Sequence, residues 1–195
     1  LPSWLPQMMH EESTLLVKQP TRKRSVLRMF GIVVCTGLLL SVAGLALLSF
    51  NATRPNNLGV RNGTLTECPD KPNCVSSFAE SRTQSMPPIP IVDDPDAAMQ
   101  AVLDAISAMD GAKIISSEDD YIHCEFTTPI FRFVDDVEFL LDRNDSVIHF
   151  RSASRTGYDD FGVNRARMNE VRRRIAVATG EATLTNRALS AVKLP

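Results

Sequence analysis

Between Met29 and Thr53 the chain carries no charged side chain. From Gly31 to Phe50 it is built of Ile, Val, Leu, Ala, Gly and Phe, interrupted only by Cys35, Thr36, Ser41 and Ser49. About twenty helical residues, at ~1.5 Å of rise each, cross a hydrocarbon core of ~30 Å. Inside lipid each backbone N–H and C=O must be satisfied within the segment, so a lone span has to be helical. Residues 29–50 are therefore expected to form one transmembrane helix in contact with the lipid bilayer. Gly37 and Gly44 do not have the four-residue spacing of a helix-dimerisation motif. A cleaved signal peptide would need a shorter apolar stretch and a small-residue cleavage site, and no A-x-A follows this one. A lipoprotein would need small residues before its cysteine, where Val33 and Val34 stand. An uncleaved anchor is the reading preferred over both.

Charge around that segment sets its direction. Arg22, Lys23, Arg24 and Arg28 precede it, and only Arg54 follows closely. Positive flanks stay on the cytoplasmic side. The expected topology is single-pass in the inner (cytoplasmic) membrane, with the N-terminus cytoplasmic and the following domain periplasmic. Formal charge divides accordingly: +4 up to Asn57 and −6 beyond it, giving the overall −2. An acidic globular part does not suit nucleic acid, whose binding rests on neutralising phosphates. Leu1 to Gln7, with Pro2, Trp4 and Pro6, read as an over-extended frame, with Met8 or Met9 as an alternative start.

The chain reads as a cytoplasmic segment (1–28), the membrane helix (29–50), an Asn/Gly/Pro/Thr-rich linker (51–63), an extracytoplasmic domain (64–180) and a tail (181–195). In the domain, Ser81 to Asp93 holds three prolines and is expected to be extended. Asp94-Pro95 marks a helix start, Met99, Val102, Leu103, Ile106 and Met109 its apolar stripe, and Gly111 its C-terminal cap. Four strands follow, at Ala112–Ser116, Tyr121–Thr127, Phe133–Leu141 and Val147–Ala153. In them Ile122, Cys124 and Phe126 share one face, and His149 and Arg151 oppose Ile148 and Phe150. Short connections make the sheet antiparallel. A second helix is expected from Asn164 as N-cap, with Met168, Val171 and Ile175 inward and Gly180 as its stop. The expected fold is α+β, a small antiparallel sheet of about four strands flanked by two helices and preceded by one transmembrane helix.

Cys68 and Cys74 bracket Pro-Asp-Lys-Pro-Asn, and an oxidising compartment favours a bridge between them over two packed free thiols. Cys35 reads as an apolar filler and Cys124 as a buried strand residue. His10, His123 and His149 do not cluster, and no Cys/His spacing suits zinc, so no metal and no cofactor are expected.

Three passages stand together: Cys68-Pro-Asp-Lys-Pro-Asn-Cys-Val-Ser-Ser77, Phe131-Arg-Phe-Val-Asp-Asp-Val-Glu-Phe139 and Arg151-Ser-Ala-Ser-Arg-Thr-Gly-Tyr-Asp-Asp-Phe-Gly-Val-Asn-Arg165. In this order they resemble the family called domain of unknown function 1499, over about Leu58 to Ala178. That resemblance implies exported or membrane-anchored bacterial proteins, with relatives in photosynthetic eukaryotes, and no particular activity.

The charged residues of these passages are the candidate site. Asp135, Asp136 and Glu138 on one strand face Arg151 and Arg155 on or after the next, where cross-strand pairs form. Ser152, Ser154, Asp159, Asn164 and Arg165 complete the set, with Asp159 and Asp160 satisfying loop amides or pairing with Arg165. Such a network can fix a strand–loop–helix corner, or bind a small polar or anionic ligand. Catalysis fits less well. Adjacent Asp135 and Asp136 point to opposite faces. Ser152 and Ser154 have no evident base. There is also no G-x-S-x-G, P-loop, H-E-x-x-H or Rossmann glycine pattern. No catalytic residue is assigned. The Arg172-Arg173-Arg174 run reads as a solvated helix face. The first reading is a non-enzymatic binding or scaffolding module whose partner is an envelope protein or a small polar ligand. The alternative is a hydrolase-like enzyme acting on a cell-envelope or anionic substrate. For the topology, an alkaline phosphatase fused after Thr53 is expected to be active, and a silent but stably expressed fusion would reverse the assigned orientation.

Overall fold

A computed structural model describes residues 22–50, 52–92 and 94–178. The start near Met8, the stop at Gly180 and the tail at 181–195 lie outside them. The chain divides at Val42/Ala43 into two compact units. Among the described residues the first holds 22–42 of helix α1 (Arg22–Phe50). Ser25–Leu47 of α1 is 23 residues long, apolar enough to cross a membrane or to serve as a signal sequence. Its apolar side chains are exposed, Leu27 at 72% and Leu39 at 70%.

The second unit carries β1 (Cys74–Ser76), β2 (Ile89–Pro90), α2 (Pro95–Ser107), β3 (Ala112–Ser117), β4 (Tyr121–Thr127), β5 (Val134–Asp142), β6 (Val147–Ser154) and α3 (Val163–Ala178). Strands run β1-β6-β5-β4-β3, each pairing antiparallel, and β2 also pairs with β6. The α+β class and the four longer strands follow the alternation in the sequence, but the sheet has six strands, not four. β1 and β2 are only three and two residues long. They leave no periodicity to read, and Pro90 stands where a strand is least expected.

One face of the sheet is the apolar core. Ile122, Cys124 and Phe126 of β4, Val137, Phe139 and Leu141 of β5, and Ile148 and Phe150 of β6 lie under the helices. Met99, Val102 and Ile106 of α2 meet Met168, Val171 and Ile175 of α3 there. Each large apolar side chain so buried stabilises by about 1.5–3 kcal/mol.

Asp94 caps α2 as its sequence implies, its carboxylate accepting from Asp96 N–H at 3.0 Å. Two other expected caps are corrected. α2 ends at Ser107 with Ala108 as cap, so Gly111 is not its terminator. Gly111 instead turns the chain into β3 at φ 76, where a Cβ would stand 2.5 Å from the Thr127 carbonyl oxygen. Asn164 lies inside α3, fully buried. Its cap role passes to Asp160, whose carboxylate accepts from Gly162 N–H at 3.0 Å and Asn164 N–H at 2.7 Å. The arginine run is also not uniformly solvated. The Arg172 guanidinium sits 5.2 Å over the Phe150 ring, and burial holds it below the usual arginine range.

Gly111→Ala forces both a left-handed φ and a backbone clash, at a cost of about 1–3 kcal/mol. The melting temperature of the purified protein is expected to fall by several degrees. An unchanged melting curve would contradict the close approach of Gly111 to Thr127.

Candidate functional site

Because side chains alternate across a strand, the residues between those of the core project to the opposite side of the sheet. They are polar. β4 contributes Tyr121, His123 and Glu125, β5 contributes Asp136, Glu138 and Leu140, and β6 contributes His149, Arg151 and Ala153. Asp136 is 1% exposed and Glu138 fully buried. Buried carboxylates are tolerated only when paired and hydrogen-bonded. Asp136 accepts from Arg155 Nε at 2.8 Å and Nη2 at 2.7 Å, and pairs with His123 Nε2 at 2.9 Å. Arg155 also reaches Glu125, which accepts from Arg54 at 3.0 and 2.5 Å. Glu138 accepts from Tyr121 Oη at 2.9 Å, Arg151 Nη1 at 3.3 Å and the backbone N–H of Gly59 at 2.7 Å.

Titration follows from this packing. Burial pushes the Asp136 carboxyl up, but hydrogen bonds from Arg155 and His123 outweigh it and hold the group below the usual aspartate range. Glu125 behaves alike: burial raises it, and Arg155 and Arg54 bring it below the ordinary value. The hydrogen bond to Asp136 raises Arg155 despite burial, and burial together with Glu138 raises the Tyr121 phenol.

Residues 52–73 cover this polar face. Besides Gly59 on Glu138, Thr66 Oγ1 donates to the Asn57 carbonyl. Gln84 Nε2 holds the carbonyls of Pro69 and Lys71 at 2.7 and 2.9 Å. Cys68 and Cys74 stand at disulfide distance, their sulfurs 2.03 Å apart. Between this strap and the sheet lies a pocket of about 330 Å³, with Asn57, Lys71 and Asn73 on one side and Asp136, Arg151 and Arg155 on the other. Arg151 and Asn73 are 6% and 3% exposed, and among the described residues Arg151 Nε and Asn73 Oδ1 have no hydrogen-bond partner.

On the core side of the sheet a second cluster forms. Arg167 Nη2 donates to Asp135 Oδ2 at 2.5 Å, and its Nη1 to Ser152 Oγ at 3.0 Å and Asn164 Oδ1 at 2.5 Å. The same guanidinium lies 4.6 Å over the Phe126 ring. Asn164 Nδ2 donates to the Asn73 carbonyl at 3.0 Å and to Ser154 Oγ at 3.1 Å, tying α3 to the residue before β1 and to the end of β6.

The sheet therefore divides the residues singled out from sequence. Asp136, Glu138, Arg151 and Arg155 meet on the strap side. Asp135, Ser152, Ser154 and Asn164 meet on the helix side. Asp159 serves its own loop, accepting from Phe161 N–H at 2.7 Å. Arg165 does not pair with Asp159 or Asp160 but donates to the Thr83 and Ser85 carbonyls at 2.8 and 3.1 Å. Sequence reading missed His123, Glu125, Arg54, Asn73 and Arg167. His123 and Glu125 were recoverable, since they alternate with Ile122, Cys124 and Phe126. Arg54 and Asn73 arrive from distant chain and leave no local signal.

Two further groups are placed by their partners. Ser77 Oγ lies 3.0 Å from His149 Nδ1, yet it also accepts from Phe150 N–H at 3.0 Å, which fixes it as a strand-edge bracket. Burial pushes the Cys124 thiol up to about 12, so it is protonated and unreactive at neutral pH. No group of three metal-ligating side chains occurs among the described residues.

The family model described as "Protein of unknown function (DUF1499)" matches residues 64–175. No curated protein and no solved structure matches the chain significantly.

Folded-state carboxyls held below their unfolded values bind fewer protons than the unfolded chain, so stability rises with pH through that range. Asp136 and Glu125 contribute fully above the unfolded values, about pH 4, and lose that contribution as pH falls below them. Denaturant midpoints measured between pH 7 and pH 3 are expected to be level, then to fall. In Asp136→Asn, less stable throughout, the fall is shallower. An equally steep fall in the variant would remove Asp136 from the titrating set.

Proposed function

We propose that this chain, which belongs to the DUF1499 family of proteins of unknown function, is a single-pass, membrane-anchored envelope module that binds a small polar ligand. In this reading α1 stays in the inner membrane with its basic N-terminal flank in the cytoplasm, and the α+β domain stands in the periplasm. The domain works by binding, not by catalysis.

One observation carries the ligand reading. Arg151 Nε and Asn73 Oδ1, a donor and an acceptor on side chains more than nine-tenths buried, line the same pocket without partners. Leaving a buried polar group unpaired costs about 1–3 kcal/mol, more for a charged one, so two of them around one space favour an occupant that pairs both. The occupant must offer an acceptor to a guanidinium and a donor to an amide oxygen. Hydroxy acids and sugar acids do both. The volume, about 330 Å³, suits a small molecule. Arg155 is already committed to Asp136 and Glu125, so Arg151 is the recognising cation, with Lys71 at the rim.

The surrounding charges support binding over acid–base work. Asp136 accepts three hydrogen bonds and Glu138 three, and Asp159 is spent on its loop. A general acid or base needs a proton it can give or take near neutral pH, and Asp136 is held ionised by its neighbours.

The reading is tested by thermal shift against a panel of sugar acids and hydroxy acids. A true ligand at one hundred times its Kd is expected to stabilise by about 2.7 kcal/mol. Arg151→Gln, which keeps a donor to Glu138, should remain folded and lose that stabilisation. A panel without effect, or a shift unchanged in Arg151→Gln, would return the network to a purely scaffolding role.

A further inference from the structure

The loop from β6 to α3 presents an apolar side chain that the domain does not cover. Phe161 is 93% exposed and Tyr158 71%. Phe161 is not a loose end. Its backbone is held at φ 54, its N–H donates to Asp159 Oδ1 at 2.7 Å, and the next N–H donates to Asp160 Oδ1 at 3.0 Å. A left-handed φ at a bulky residue is costly and persists only where its surroundings enforce it. Opposite, the loop from β4 to β5 presents Ile130, 83% exposed, and Arg132, also left-handed at φ 57. Pro129 and Val163, neighbours of these loops' apolar residues, line one depression of about 420 Å³, so the two loops flank a common surface. Apolar side chains gathered in this way mark a partner or a membrane.

Position decides between the two. In an antiparallel sheet the end of β4, the start of β5 and the end of β6 lie at one end, as the pairing of Thr127 with Val134 and of Asp135 with Ser154 records. Glu125, next to that end, is ion-paired with Arg54 at 2.5 Å. Arg54 comes four residues after α1 ends at Phe50, a reach of at most ~14 Å. The last turn of α1 belongs to the domain's own compact unit, and Ser49 there is buried. The chain that follows the apolar helix is thus tied through Arg54 to Glu125, two residues before the end of β4 from which the Ile130 loop departs. Resting on the reading of α1 as a membrane span, we propose that these two loops dip into the surface of the bilayer that α1 crosses. Phe161 and Ile130 enter the acyl boundary, Tyr158 sits at headgroup level and Arg132 meets anionic headgroups. Aromatic and cationic side chains are favoured at that depth.

The test uses the full chain in vesicles of phosphatidylethanolamine and phosphatidylglycerol whose acyl chains are brominated near the headgroup. In a Trp4→Phe background, which removes the one native tryptophan, single tryptophans are placed by Phe161→Trp, Leu39→Trp and Asn144→Trp. Leu39 lies in α1, and Asn144 in the exposed turn at the far end of the sheet. The Phe161→Trp emission is expected to be blue-shifted and quenched by the brominated lipid, and the Asn144→Trp emission to be neither. Quenching of Leu39→Trp without quenching of Phe161→Trp would overturn the surface while leaving the anchor intact. Loss of quenching at both positions would overturn the anchor as well. A blue shift at Phe161→Trp that is insensitive to bromine and disappears on dilution would assign the loops to a second copy of the chain, and so also refute the proposal.

Discussion

Every side chain of β5 from Asp135 to Leu141 is buried, although only one side of the sheet is apolar. The other side carries Asp136 and Glu138, with Glu125 beside them on β4. Three carboxylates beneath a covering strap need partners brought to them from elsewhere in the fold. β6 supplies Arg151, the chain just beyond it supplies Arg155, and the strap itself supplies Arg54. Removing one member of a buried pair costs about 3–5 kcal/mol, because the other is left unpaired. This neutrality requirement fixes the course of residues 52–73. The strap brings both a cation for Glu125 and a backbone N–H for Glu138, and the pocket is the space left where that cover meets the sheet.

The two sides of the sheet solve the problem of burial differently. Beneath α2 and α3, Ile122, Phe139 and Phe150 pack by contact area, and a single cation, Arg167, answers Asp135 while its flat guanidinium covers Phe126. Beneath the strap, area matters less than the matching of donors to acceptors. Where that matching is complete, around Asp136, each carboxylate oxygen has a hydrogen-bond partner. Where it is incomplete, Arg151 Nε and Asn73 Oδ1 are left without partners beside the pocket. In the proposed reading, scaffolding and recognition are parts of one network, with recognition at its unfinished edge.

Periodicity made much of this legible. Alternation in Tyr121–Thr127 and Val147–Ala153 placed those strands and assigned Arg151 to the side opposite Phe150. Asp94-Pro95 placed the start of α2. The same alternation separates Asp135 from Asp136, which is why the charged passages form two clusters and not one. What the sequence did not reveal is non-local. β1 and β2 are too short to show a period, and Arg54 and Asn73 act on residues far along the chain. Asn164 was misassigned because an asparagine near a helix start fits a cap by type, and only the tertiary structure shows Asp160 taking that role while Asn164 turns inward to Ser152 and Asn73.

The arrangement of β1 and β2 has a further effect. By tiling the outer side of β6 end to end, they occupy backbone groups that would otherwise template pairing with another chain. Among the described strands this leaves the outer side of β3, which pairs only with β4. A register shift between Ile114 and Ser116 bends that strand, and Lys113 lies on it. Kinked and charged borders resist edge-to-edge aggregation. The domain thus guards one flank by covering it and the other by making it a poor match for its own kind.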